Sequence, residues 1–84
     1  MERYTEDMKL WLFDLAHGNL NDEQVLTGFI RHYVLYDLSV MRVQDDIWFH
    51  TSYSMEQAQA AVDTLRRVLS MVADRDTHLS LSLT

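Results

Sequence analysis

Leu38-Ser39-Val40-Met41-Arg42-Val43-Gln44-Asp45-Asp46-Ile47-Trp48-Phe49-His50-Thr51-Ser52 is the stretch on which the fold class turns. Its two ends are rich in β-branched and aromatic residues, the types that fit a pleated, half-buried surface. Polar Gln44-Asp45-Asp46 separates them. On this reading residues 38–43 and 47–52 form a β-hairpin with an acidic tip. Strand alternation then puts Ile47, Phe49 and Thr51 on one side and Trp48, His50 and Ser52 on the other. The turn lacks the glycine or Asn-Gly pair that tight hairpins favour. A second reading therefore stays open, in which the preceding helix runs on into Val43 and the protein is an all-α bundle of three or four helices.

The sequence on either side is easier to read. After the hairpin, Ser54 and Gln57 have capping-box spacing, so a helix starts there and runs to about Asp74. Ala58, Ala61, Val62, Leu65, Val68, Leu69 and Val72 follow the i, i+3, i+4, i+7 rule and form one apolar face. Before the hairpin, Asn21 caps a second helix, with Gln24 in the box position and Leu20 and Val25 as a hydrophobic staple. Its apolar face is Val25, Leu26, Phe29, Ile30 and Tyr33, and its end is expected near Tyr36 or Asp37. The first helix is expected over about Thr5–Ala16. Glu6 and Asp7 suit its positive end, and Gly18 suits the left-handed residue that closes it. Met8, Trp11, Leu12 and Leu15 share a stripe, but Leu10 and Phe13 fall off it. A helix with apolar side chains off its stripe either is covered on two sides, here by the hairpin, or offers apolar surface to a partner.

At the C-terminus Leu79, Leu81 and Leu83 alternate with Ser80 and Ser82, the pattern of a half-buried strand. The expected architecture is thus α+β, a small single domain over residues 1–84 in the order α-α-β-β-α-β, with a short antiparallel sheet packed on helices. Residues 1–4 and 76–84 are the segments where fraying is expected.

Composition limits the function. With 84 residues and 48% apolar content the chain can build one modest core. It has no cysteine, which removes disulfides, thiolate chemistry and thiolate metal sites. An acidic, polar start argues against a secretory signal, and no apolar run is long enough to span a bilayer. A cytoplasmic location is expected. The net charge is −6. Residues 1–50 hold nine acids and four bases, the remainder four acids and three bases. That balance opposes binding to phosphate backbones or anionic membranes and permits binding to a basic protein surface.

Chemistry is sparse. His17, His32, His50 and His78 show no spacing that would place two ligands on one helix face. No nucleophile elbow or glycine-rich phosphate loop is present, and adjacent Asp45 and Asp46 suit a solvated turn better than an acid–base pair. Neither an enzyme, a cofactor nor a metal is expected. The sequence points to a protein-binding module, such as an inhibitor or an immunity or counter-defence protein that occupies a basic surface of a larger protein. Its acidic groups would compete there as phosphates do. The expected contacts are Leu10, Phe13, Asp45, Asp46 and Trp48, with Glu6 and Asp7 beside them. The alternative is a self-associating adaptor, a homodimer joined through Met55, Ala58, Val62, Leu65, Leu69 and Val72, which also recur in three–four steps.

Overall fold

A computed structural model describes residues 5–34, 40–51 and 54–75. Four α-helices, α1 (Glu6–His17), α2 (Asp22–Phe29), α3 (Val40–Thr51) and α4 (Met55–Arg75), make up the fold, and a π-helical turn, Ile30–Val34, extends α2. Among the described residues there is no strand, so the α+β expectation is overturned in favour of an all-α domain. The decisive segment is α3. Residues 40–51, read as most of a β-hairpin, form one continuous helix. The supposed acidic turn Gln44-Asp45-Asp46 lies in its middle. The proposed C-terminal strand, the segments 1–4 and 76–84 and the expected end of the second helix at Tyr36 or Asp37 lie outside the described residues.

The helix ends follow the local chemistry. Thr5 caps α1 by accepting a hydrogen bond from the Met8 amide at 3.1 Å. Gly18 closes it with φ 70°, and the Asn19 amide reaches back to the Asp14 carbonyl at 2.9 Å. These are the left-handed residue and the back-bonded turn that satisfy the last carbonyls of a helix. Asn21 and Gln24 form the reciprocal capping box on α2, with both bonds in place at 2.8 and 3.0 Å. Ser54 and Gln57 form the box on α4 more loosely, at 3.2 and 3.4 Å. All three starts are local; those of α2 and α4 were legible from their cap residues, whereas Thr5, expected as the first helical residue, is the cap of α1.

The core lies where the helices cross. Met8, Trp11, Leu12 and Leu15 of α1 meet Val25 and Phe29 of α2, Tyr33 of the π turn, Val43 and Ile47 of α3, and the α4 stripe from Ala58 to Val68. Leu69 packs at the edge. Helix α3 packs chiefly on α4 and on α1, while α4 also touches α2. Beyond this packing, Asp22 of α2 and Arg67 of α4 form an ion pair at 3.1 Å that joins helices distant in sequence. The Arg67 guanidinium holds the Asp22 carboxyl below the usual carboxylate range, and Asp22 in turn raises Arg67. No helix among the described residues is long and apolar enough to cross a membrane.

Candidate interaction surfaces

Helix α3 divides its residues in an unusual way. Its inner face buries Val43 and Ile47, and with them Gln44 and Asp46. Its outer face exposes Met41, Asp45, Trp48 and Phe49. These four stand at i, i+4, i+7 and i+8, so they share one stripe about two turns long. Trp48 is 49% exposed and Phe49 73%, against 0% for Val43 and Ile47 on the same helix.

The buried polar residues are held by specific partners. The Tyr33 hydroxyl donates to Asp46 Oδ2 at 2.8 Å, and Arg42 Nε lies 3.9 Å from Oδ1. A carboxylate taken out of water needs such donors, since burial without them costs several kcal/mol. Tyr33 lies in the π turn, is buried, and stacks on Phe29 at 5.8 Å between ring centroids. On the other side, Gln44 Nε2 donates to Gln59 Oε1 at 2.5 Å, and Gln59 Nε2 donates to Asp63 at 2.9 Å. Short polar chains thus tie α3 to the π turn and to α4.

The expected contact residues sort accordingly. Asp45 and Trp48 lie together on the outer stripe of α3. Asp46 does not join them: it is 4% exposed and bonded inside the domain. Leu10 and Phe13 are exposed on α1, where Phe13 packs against His17 with ring centroids 4.0 Å apart. Glu6 and Asp7 are exposed at the start of α1, with Glu6 3.6 Å from Lys9. Of the residues offered as a dimer seam, Ala58, Val62 and Leu65 are fully buried in the domain's own core and Leu69 is partly buried. Met55 of the same set is exposed and Val72 partly buried. Met41 and Phe49 were missed as surface residues because strand alternation sent Phe49 to the opposite side from Trp48. Helical spacing would have brought both to the stripe.

A second surface is an open groove of about 390 Å³ between α1 and α2. Its α1 wall is Asp7, Leu10 and Asp14, and its other wall is Glu23, Thr27 and Arg31. Trp11 and Gly28 lie at its base. The two helices meet closely here: a Cβ on Gly28 would fall 1.8 Å from Trp11 Nε1, so only glycine fits. The indole N–H donates to the Gln24 carbonyl at 3.3 Å, which fixes the ring. His32 flanks the same ring at 5.9 Å between centroids. Burial holds the His32 imidazole below its ordinary range, helped by the Arg31 charge and opposed by Asp7. The isolated Gly28 gave the only sequence signal of this approach, and it pointed to no partner. Among the described residues no group of three histidines or carboxylates is placed to hold a metal ion.

No family model matches the chain, and no curated protein or solved structure matches it.

Proposed function

We propose that the protein is a non-enzymatic binding module that docks on a basic surface of a larger protein. The observation that carries this reading is the outer stripe of α3. Two large aromatic rings and a methionine face water within two turns of one helix, beside an exposed carboxylate. Exposed apolar area is left unrewarded in the free protein at roughly 25 cal/mol per Å², and a contiguous patch of it marks an interaction surface. Tryptophan is favoured among the residues that anchor such contacts. The net charge of −6 adds the second element, since an acidic module is steered toward a positively charged partner. Such a module acts by occupancy: it covers a functional surface of its partner, as an inhibitor or an immunity or counter-defence protein does.

The test is affinity purification of the tagged protein from its native host with quantitative mass spectrometry, run beside a Trp48→Ala/Phe49→Ala variant and at two salt concentrations. A basic protein should be enriched by the native chain, reduced by high salt and lost with the variant. Equal recovery by the variant would remove α3 from the interface. A complex indifferent to salt would remove the electrostatic half of the reading.

A further inference from the structure

The groove between α1 and α2 has a composition of its own. Three carboxylates line it, Asp7, Asp14 and Glu23, against one guanidinium, Arg31. None of the three makes a hydrogen bond or ion pair among the described residues, whereas Glu6, Asp22 and Asp46 all lie within 4 Å of a cationic side chain. His32 adds little countercharge near neutral pH, because burial favours its neutral form. The groove is also partly apolar. Leu10, 60% exposed, stands on its α1 wall, and Leu20 lines it from the loop before α2. Its base is rigid, since Trp11 is wedged against Gly28 and tied to the Gln24 carbonyl. Rigid walls matter, because a preformed groove does not lose ordering entropy when it is filled.

Surplus negative charge, exposed leucine and a fixed aromatic base are complementary to one class of ligand. We infer that the groove binds a basic peptide segment of the partner protein, with lysine or arginine side chains along its acidic walls at Asp7, Asp14 and Glu23 and an apolar neighbour against Leu10. This rests on the reading of the protein as a binder of basic protein surfaces, and it gives that partner a second point of attachment apart from the α3 stripe. Helix-lined grooves take apolar anchors in this way, and carboxylates on the rim select the charge of the flanking residues.

The experiment is a titration of the isotope-labelled native chain with a blocked peptide of alternating leucine and arginine, followed by amide and indole N–H shifts. A peptide with glutamate in place of arginine is the control. Saturating shifts are expected at Leu10, Asp14, Glu23 and Arg31 and at the Trp11 indole N–H, with none from the glutamate peptide. Asp14→Asn with Glu23→Gln should weaken binding about fivefold or more, the factor that corresponds to about 1 kcal/mol of lost charge pairing. Neither side chain is in the core, and an unchanged far-UV spectrum checks that the variant is folded. Trp48→Ala/Phe49→Ala should leave the peptide affinity unaltered. Equal binding of the two peptides, undiminished binding by the neutralised variant, or no shift along the groove would each overturn the proposal. Shifts confined to α3 would overturn the groove while leaving the α3 reading intact. Undiminished host-partner capture by Trp48→Ala/Phe49→Ala, with peptide binding retained, would do the reverse.

Discussion

Helices α3 and α4 lie against each other and obey opposite rules. In α4, apart from exposed Met55 and Met71, the division between apolar and polar residues follows the division between inside and outside. Ala58, Ala61, Val62, Leu65 and Val68 are buried, while Glu56, Asp63, Arg66, Arg67 and Ser70 face water. In α3 the two divisions part company. Gln44 and Asp46 are buried, while Met41, Trp48 and Phe49 are exposed. A helix built only to fold would gain from exchanging those environments. The retained mismatch separates stabilising burial on α4 from surface presentation on α3.

The contrast is broken most directly at its extremes. Leu65 is fully buried on α4, so Leu65→Ala should cost about 2–5 kcal/mol in a denaturant titration, through lost transfer energy and the cavity left behind. Leu65→Asp should leave no folded protein to detect. Phe49→Ala removes a larger side chain from α3 yet should change stability by no more than about 0.5 kcal/mol, because the ring is already in water. If Phe49→Ala costs as much as Leu65→Ala, the outer stripe belongs to the core and the comparison fails.

Next in size is the buried polar side of α3. Tyr33→Phe deletes the hydroxyl that donates to Asp46 Oδ2 and leaves a buried carboxylate short of a partner. The expected cost is about 1–2 kcal/mol, near the lower part of the range for an orphaned buried group, because Arg42 remains close to the other oxygen. Chemical denaturation with and without the hydroxyl measures it. An unchanged midpoint would mean that water replaces the tyrosine and that the inner face of α3 is less dry than its burial implies.

This mismatch also explains what the sequence hid. The α4 stripe, two helix starts and one helix end were legible because each depends on neighbours within one or two turns: Asn21 with Gln24, Ser54 with Gln57, and Gly18 after α1. The helical stripe of α3 was present too, in Val40, Val43 and Ile47 at i, i+3 and i+7. It was masked because the residues between them broke the rule that polar means outside. Asp46 reads as a turn residue until Tyr33, thirteen positions away, supplies its partner. β-Branched and aromatic content then tilted the reading to strands, although such propensity reports a half-buried surface rather than a backbone preference. Leu10 and Phe13 were legible as surface candidates from their place off the α1 stripe, and Trp48 was reached through the strand reading that the structure overturns. The groove was not, since it is made by the approach of Trp11 to Gly28 across two helices.

Helix capping gives a smaller test, and one confined to α4. Ser54→Ala removes the hydroxyl that accepts from the Gln57 amide and should cost about 1 kcal/mol. The same change should not alter binding through α3, because Ser54 precedes α4 and is not part of the Met41–Phe49 stripe. A fall in partner capture larger than the loss of folded protein would show that the start of α4 belongs to the interface.

The smallest effect is expected from His32, next to the tyrosine that holds Asp46. Burial and the nearby Arg31 charge lower its pKa in the folded state, and Asp7 only partly opposes them. The unfolded chain therefore binds a proton more readily, with a pKa near the ordinary 6.5. Linkage then fixes the sign: stability from this group is fully present above about pH 6.5 and is lost as pH falls through the folded-state value. The denaturation midpoint of the native chain should fall between pH 7.5 and pH 5.5, and His32→Gln should reduce that fall. If the π turn is what keeps the inner face of α3 in place, acid should also broaden the Tyr33 and Asp46 resonances before those of Leu65 and Val68. Simultaneous loss along α3 and α4 would show that the two helices, for all their opposite surfaces, unfold as one unit.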